Sequence, residues 1–222
     1  MDLGIAGKRA LVVGGTKSTG SAVVKALRDE GVEVKTIARS GADTNVDLMH
    51  CGVWLDVGEP DIIVHVVGGS TGIKEADSPQ YAKVWQLNIG NAIALNNLCL
   101  PAMTRKGWGR IVHLSSNAVK LAIGHVPYAS AKAAVEGYVR NMGKELAPKG
   151  VVMTAVRPGP IYSEGKYLYS QSPEWTEDFQ AKYVPMKRWG KPEELAGVVA
   201  FLCSEQASYM CGAVIDVDGG MR

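Results

Sequence analysis

The sequence lacks the features that mark disulfide-rich, nucleic-acid-binding and membrane proteins. Its four cysteines, Cys51, Cys99, Cys203 and Cys211, show no C-x-x-C spacing, which argues against a zinc site or a redox-active pair. The net charge is only +2 and the basic residues form no stripe, so nucleic acid is not an expected partner. No apolar run reaches the roughly 18 residues that a membrane-spanning helix needs, and the start lacks the basic-then-apolar order of a signal peptide. We therefore expect a cytoplasmic protein with reduced thiols and no membrane partner.

The histidines are equally uninformative about a metal. No two of the four have a metal-ligand spacing, so we expect no metal site. We interpret His50, His65, His113 and His125 as hydrogen-bonded core residues.

The sequence does contain short apolar segments, and most of them are followed by glycine or another turn residue. They span 9–13, 32–38, 62–67, 110–114, 151–156 and 213–217, and stretches with apolar residues at helical spacing lie between them. Apolar strands that alternate with helices indicate a parallel sheet covered on both faces. We find no repeat or linker, and therefore predict one Rossmann-type α/β domain over 1–222, a doubly wound sheet of about seven strands. The stretch 39–61 is too short for a full strand–helix connection and should hold an abbreviated helix or a loop.

A glycine-containing turn separates the first predicted strand from the first predicted helix. It reads Gly14-Gly15-Thr16-Lys17-Ser18-Thr19-Gly20. Glycine lets a backbone approach a pyrophosphate, and the helix N-terminus behind it offers unpaired N–H groups to the anion. A glycine turn alone is weak evidence, because glycines end many strands. Its position after the first strand favours dinucleotide binding.

A tyrosine and a lysine stand four residues apart, at Tyr128 and Lys132. On a helix this spacing puts both side chains on one face. A free phenol titrates near pH 10, and a nearby cation lowers its pKa. Such a phenol can donate a proton to a carbonyl oxygen, or remove one from an alcohol, as hydride moves. On this motif alone, an ordinary surface pair remains an alternative.

Together these motifs resemble the short-chain dehydrogenase/reductase family, in particular its 3-oxoacyl reductases. Gly14 and Gly20 match the first and last glycines of the family's T-G-x-x-x-G-x-G, whereas Ser18 and Thr19 depart from it. Gly68 matches the last residue of the family's N-N-A-G, and His65 replaces its first asparagine. The resemblance covers nearly the whole chain, including the R-W-G-K-P-E-E and V-D-G-G segments near its end.

The resemblance implies a catalytic set of Asn88, a serine, Tyr128 and Lys132. The family's usual distance to the tyrosine selects Ser115, whereas alignment of the preceding strand selects Ser116. We favour Ser116, because loops such as 117–127 absorb deletions more readily than strands do.

The resemblance also implies which residues bind the cofactor. They are Gly14, Thr16, Lys17, Ser18, Thr19, Gly20, Arg39, Ser40, Asp47, Leu48, Gly68, Tyr128, Lys132, Pro158, Gly159 and Ile161. NAD-binding proteins typically carry an acid after the second strand, to hold the ribose. Here Arg39 and Ser40 follow that strand and Lys17 lies in the glycine turn, so we predict NADP(H). The alternative is that Lys17 and Arg39 are ordinary solvated charges.

The function that follows is reversible hydride transfer to a small-molecule carbonyl, with reduction as the favoured direction. In this interpretation Tyr128 is the acid, Lys132 lowers its pKa and holds the ribose, Ser116 orients the substrate and Asn88 supports a proton relay. The alternatives are a non-catalytic NADP(H)-binding sensor on the same fold, and an epimerase or dehydratase, for which the chain has little room. The family also implies a homo-oligomer, a tetramer being favoured.

The segment 162–189 corresponds to the family's substrate lid. It is rich in aromatic residues, namely Tyr162, Tyr167, Tyr169, Trp175, Phe179, Tyr183 and Trp189. They indicate either lid packing and subunit contact or a pocket for an apolar or aromatic ketone.

Overall fold

A seven-stranded parallel sheet forms the centre of the computed structural model, which describes residues 2–48, 56–70, 81–163 and 173–221. The sheet order is β3-β2-β1-β4-β5-β6-β7, which confirms the doubly wound fold. The strands are β1 (Arg9–Val13), β2 (Glu33–Ala38), β3 (Thr44–Asn45), β4 (Ile62–His65), β5 (Gly109–Leu114), β6 (Val151–Pro158) and β7 (Val214–Val217).

Helices connect the strands and cover both faces of the sheet. They are α1 (Ser18–Asp29), α2 (Tyr81–Trp85), α3 (Asn91–Lys106), α4 (Asn117–Leu121), α5 (Val126–Leu146), α6 (Pro173–Tyr183) and α7 (Pro192–Leu202). A π-helical turn, Gln86–Gly90, joins α2 to α3, and a 3-10 turn, Ala147–Lys149, follows α5. No helix within these described ranges is long and apolar enough to cross a membrane.

The core consists of two main layers, one on each side of the sheet. Alternate residues along a strand point to opposite faces, so Val112 packs on the α1 and α7 side and Ile111 on the α3 and α5 side. Strands β4 and β5 are buried along their whole length, as strands covered on both faces must be. This packing fixes the carboxyl ends of the central strands, where the candidate site lies.

The edge of the sheet at β2 and β3 differs from its centre. In β2, Glu33 and Lys35 are exposed while Val34 and Thr36 are buried, so part of one face of this strand meets solvent. β3 has only two residues and pairs with Ile37 and Ala38. The predicted short connection over 39–61 contains this strand, and its described parts, 39–48 and 56–61, contain no helix.

Two local expectations were wrong. The segment 117–127 is not a simple loop, because α4 begins directly after Ser116, whose side chain accepts a hydrogen bond from the N–H of Ala118 and caps the helix. His125 is not a core residue: it is half-buried, immediately before α5, and its ring has no hydrogen-bond partner among the described residues. His65 and His113 are buried and hydrogen-bonded as expected. His50 and Cys51 lie outside the described residues.

Candidate active site

A cleft of about 1040 Å³ opens at the carboxyl ends of β1, β2 and β4, where the strand order reverses. Its lining includes most of the predicted cofactor-binding residues, namely Gly14, Thr16, Lys17, Ser18, Thr19, Gly20, Arg39, Ser40, Asp47, Leu48 and Gly68. Their side chains come from three separate parts of the sequence, and the parallel sheet brings them to one edge.

The glycine turn packs tightly against the first residues of the loop that follows β4. Gly14 has φ +89°, and a Cβ there would come within 2.8 Å of the Val67 side chain. A Cβ on Gly20 would collide with the carbonyl oxygen of Gly14, so neither position accepts a side chain. Ser18, at the family's middle glycine position, has φ +44°, a left-handed conformation that favours glycine. Its hydroxyl donates to the carbonyl oxygen of Tyr162 at 3.4 Å, across the mouth of the turn.

Two cations lie in the cleft without a partner. Lys17 and Arg39 are exposed, and in the described ranges neither makes a hydrogen bond or an ion pair. Asp43 is the first acidic residue after β2, and it does not face the cleft. Its Oδ2 instead accepts both the N–H and the hydroxyl of Thr36 at 2.7 Å. These hydrogen bonds lower the pKa of Asp43. The end of β2 therefore presents positive charge to the cleft.

Lys132 has a buried ammonium group directly behind Gly68, which lines the cleft; Lys132 and Tyr128 themselves are not among the described lining residues. The residue is 3% exposed, and its Nζ donates to the carbonyl oxygen of Leu114 at 2.7 Å, its only hydrogen-bond acceptor among the described residues. Burial lowers the pKa of Lys132 to about 8. Its Nζ lies 5.8 Å from the centre of the Tyr128 ring, so the helix does bring the two side chains together. The other N–H groups of the ammonium have no acceptor among the described residues.

Asn88 and Gly68 form the wall beside this ammonium. A Cβ on Gly68 would come within 2.7 Å of Lys132 Nζ and 2.8 Å of Asn88 Oδ1, so only glycine fits. Asn88 donates from Nδ2 to the carbonyl oxygens of Gly69 and Val84, both at 2.8 Å, and its Oδ1 accepts the N–H of Gly69 at 3.1 Å. It lies in the π-helical turn, a deviation that is frequent at functional sites. Asn88 thus fixes the loop after β4 to the helix that follows.

The two adjacent serines have different environments. Ser115 is buried and its hydroxyl donates to Oε1 of Glu136 at 2.7 Å, away from the cleft. Ser116 is half-buried, and its Oγ accepts the N–H of Ala118 at 3.2 Å. Because this contact uses a lone pair of Ser116, the hydroxyl hydrogen of Ser116 stays available for donation.

The loop after β6 contains Gly159 and Ile161, two residues that the resemblance assigns to cofactor binding. A Cβ on Gly159 would lie 2.8 Å from the Cα of Asp218, and Ile161 forms an isolated parallel bridge with Gly190. Gly159 and Ile161 line a second cavity of about 110 Å³ and not the large cleft, and Pro158 is the last residue of β6. Of the predicted lid, 162–163 and 173–189 are described. Phe179 and Tyr183 are in ring contact there, whereas Tyr167, Tyr169 and the side chain of Trp175 lie outside the described residues.

Sequence reasoning missed two groups of interacting polar residues near the site. His65 bonds Asn96 at 2.8 Å and stacks on His113, its neighbour across β4 and β5, with ring centres 4.5 Å apart. The second group joins Glu136 to Arg157 and Asp216. The register of neighbouring strands could have indicated the histidine pair, but no local pattern joins residues as distant as 136 and 216.

Comparisons with known proteins show the family to which this fold belongs. A family profile described as enoyl-(acyl carrier protein) reductase matches residues 42–222. The chain is 30% identical over 253 aligned residues to the 3-oxoacyl-(acyl-carrier-protein) reductase FabG of Aquifex aeolicus, covering 100% of both. It is 35% identical over 170 residues to nodulation protein G of Azospirillum brasilense, covering 75% of this chain and 68% of that protein. The crystal structure of L-sorbose reductase from Gluconobacter frateurii, complexed with NADPH and L-sorbose, has a TM-score of 0.84 at 26% identity and covers 100% of this chain and 98% of its own. The chain therefore belongs to the short-chain dehydrogenase/reductase family of oxidoreductases.

Proposed function

We propose that the protein is an NADP(H)-dependent ketone reductase that interconverts a small-molecule carbonyl and its alcohol. One observation carries this proposal: the buried ammonium of Lys132, which has one hydrogen-bond acceptor among the described residues, lies 5.8 Å from the centre of the Tyr128 ring and directly behind Gly68, in the wall of a cleft of about 1040 Å³. Several known reductases among the relatives, including the NADPH-complexed sorbose reductase, support the same cofactor and reaction.

The residues present fit a phosphorylated dinucleotide. The turn at Gly14 and Gly20 offers backbone without side chains, and the N-terminus of α1 behind it favours an anion. Lys17 and Arg39, which have no partner among the described residues, would supply the cations that a 2′-phosphate requires, and Ser40 lines the same cleft. Gly68, Asp47 and Leu48 would border the nucleoside parts, and Pro158, Gly159 and Ile161 the nicotinamide. When bound, the nicotinamide would supply or accept the hydride.

The protein's own residues would handle the oxygen and its proton. Ser116 would donate its free hydroxyl hydrogen to the substrate oxygen and so hold the carbonyl in position. Tyr128 would give its proton to that oxygen, and the phenolate left behind would be stabilised by the ammonium of Lys132. Asn88 would keep the wall beside Lys132 in place and support the return of a proton to the tyrosine.

The proposal is tested by binding and turnover together. NADPH should quench tryptophan fluorescence at micromolar concentration, and NADPH oxidation should accelerate with members of a panel of sugar, acyl and aromatic ketones. Tyr128→Phe should bind NADPH as the wild type does but lose activity by about a hundredfold or more. Tight binding with no turnover on any ketone would favour a sensor instead.

The substrate and the assembly belong to the same proposal. The segment 162–189 would act as the lid, and its exposed Tyr162 and Tyr183 would border a pocket for an apolar or aromatic ketone. Turnover that is insensitive to both Tyr169→Ala and Trp175→Ala would contradict that pocket. We propose a homotetramer in the cytoplasm, and the exposed side chains of Trp85 and Leu98 offer apolar surface for a subunit contact. Light scattering at micromolar concentration would reveal a monomer if this is wrong.

A further inference from the structure

A buried carboxylate links the helix of the proposed acid to two neighbouring strands. Glu136 is 2% exposed and lies one turn after Lys132 on α5. Its Oε1 accepts from Ser115 at 2.7 Å and from Arg157 Nε at 2.9 Å, and its Oε2 accepts from Arg157 Nη2 at 2.8 Å. Burial raises the pKa of this carboxyl, but the hydrogen bonds from Arg157 and Ser115 outweigh burial and lower it. Glu136 therefore holds α5 to the ends of β5 and β6 as a charged group.

The contacts continue across the sheet to the helix of the proposed substrate-orienting serine. Arg157 and Asp216 are paired residues of β6 and β7, and Nη1 of the arginine lies 2.6 Å from Oδ1 of the aspartate. Oδ2 of Asp216 in turn lies 2.7 Å from Nζ of Lys120, on α4. Lys120 also donates to the carbonyl oxygen of Met221 at 2.9 Å. We call Glu136, Arg157, Asp216 and Lys120 the ionic chain.

Helix α4 depends on such tethers for its position. It has five residues, fewer than a helix needs to be stable by itself, and ends at Ala122 with a left-handed φ of +52°. Besides packing on α5, it is held by Lys120, which also reaches Asp218 Oδ2 at 3.5 Å, and by Asn117, which donates to Asp218 Oδ2 at 3.0 Å and to Met221 Sδ at 3.5 Å. Ser116 caps this helix, so whatever moves α4 also moves the Ser116 hydroxyl.

We infer that the ionic chain is a positioning device, which sets Ser116 on α4 relative to Tyr128 and Lys132 on α5. The inference rests on the function proposed above. Glu136 holds α5, Lys120 holds α4, and the Arg157–Asp216 pair joins the two through β6 and β7. Both ends of the ionic chain are needed for activity, because the reaction requires the hydroxyls of Ser116 and Tyr128 to contact the same substrate oxygen atom.

The exposed end of the ionic chain provides the test. The side chains of Lys120 and Asp216 are about one-third exposed, so these positions should tolerate substitution better than the buried Glu136. Lys120→Met and Asp216→Asn should each lower kcat for ketone reduction about tenfold, with an NADPH Kd within twofold of wild type. Lys120→Arg should recover most of the loss. Arg105→Met serves as the control, because it removes an ion pair of the same length, 2.7 Å to Glu59, on the surface of α3.

A double-mutant cycle distinguishes positioning from general destabilisation. In a Ser116→Ala background, Lys120→Met should cost little further kcat, since there is no hydroxyl left to position. Equal fold losses in both backgrounds would overturn the inference.

Amide hydrogen exchange supplies a second measurement that does not need turnover. Residues 117–121 should exchange several times faster in Lys120→Met and Asp216→Asn than in wild type, while α1 stays unchanged. Unchanged exchange over 117–121 would also overturn the inference. A wild-type protein that reduces no ketone but shows this exchange difference would contradict the proposed function and leave the positioning role supported.

Discussion

Ser115 donates its hydroxyl hydrogen to the buried carboxylate of Glu136 across 2.7 Å. An ionised carboxylate can only accept, so this hydrogen is committed to the interior of the protein. Among the described residues, the hydroxyl of the next residue, Ser116, is used only as an acceptor, from the N–H of Ala118. Two serines that are adjacent in the sequence therefore differ in whether they can donate to a substrate.

The two serines should respond differently to removal of the hydroxyl. We expect Ser116→Ala to lower kcat by about a hundredfold, as the loss of a donor to a developing oxyanion does. Ser115→Ala should instead destabilise the fold by about 1–3 kcal/mol, because it removes a donor from a buried charged acceptor, with a smaller effect on kcat. Steady-state kinetics and urea unfolding measure the two effects. The reverse ranking of kcat would assign the catalytic role to Ser115.

Arg39 should determine the preference for NADP over NAD. Loss of a charge-assisted contact costs about 1.5–3 kcal/mol, so Arg39→Ala should weaken NADPH binding roughly ten- to a hundredfold and leave NADH nearly unchanged. Lys35→Ala is the matched control, because Lys35 is an exposed cation of β2, the strand that Arg39 follows, and does not line the cleft. Fluorescence titration with both cofactors gives the answer. A wild type that prefers NADH would refute the assignment.

Ser18 should tolerate glycine better than any larger residue. A left-handed non-glycine residue costs roughly 1–2 kcal/mol, and glycine relieves this strain but loses roughly 0.4–1 kcal/mol through the freedom of the unfolded chain. Ser18→Gly should therefore be as stable as wild type to within about 1 kcal/mol, with NADPH affinity equal or higher. Ser18→Val should be the least stable of the three, because it places a β-branched residue at φ +44°. Equal thermal midpoints for the glycine and valine variants would show that the turn is not strained.

The stacked histidines should make the fold sensitive to acid. Burial lowers the pKa of His65 to about 4 and that of His113 well below its usual value, whereas an unfolded histidine titrates near 6.5. Between these values the unfolded chain binds protons that the folded protein does not. The free energy of unfolding should therefore fall as the pH drops from about 6.5 to 4, by up to about 1.4 kcal/mol per pH unit for each histidine.

Replacing both histidine rings separates their contribution to the pH dependence of stability from the contribution of the carboxylates. The variant His65→Asn/His113→Asn should show a shallower decline in stability over this pH range, whatever its stability at pH 7. Urea unfolding at several pH values compares the slopes. Identical slopes for the two proteins would mean that the histidines are protonated in the folded state.

The fold and the first residues of the site could be predicted because their signals are local. Buried strands appear in the sequence as apolar runs. Tyr128 and Lys132 are one helical turn apart, so their spacing in the sequence alone predicts that their side chains are close in the fold. The short helix α4 could not be predicted, because its position rests on contacts of Lys120 and Asn117 with residues about a hundred positions away. The direction of the Ser115 side chain likewise depends on Glu136, which only the packing of α5 on the sheet brings near.

The two-residue strand β3 has a consequence for the protein at high concentration. A sheet edge is a template on which another chain can add its own strand, and a long, flat, apolar edge promotes aggregation. Here the outer strand offers only two residues, and its neighbour β2 carries the exposed charges Glu33 and Lys35. An incoming strand would find too few backbone groups to pair with and charged side chains beside them. The end of the sheet formed by β2 and β3 is thereby protected from forming intermolecular β-structure.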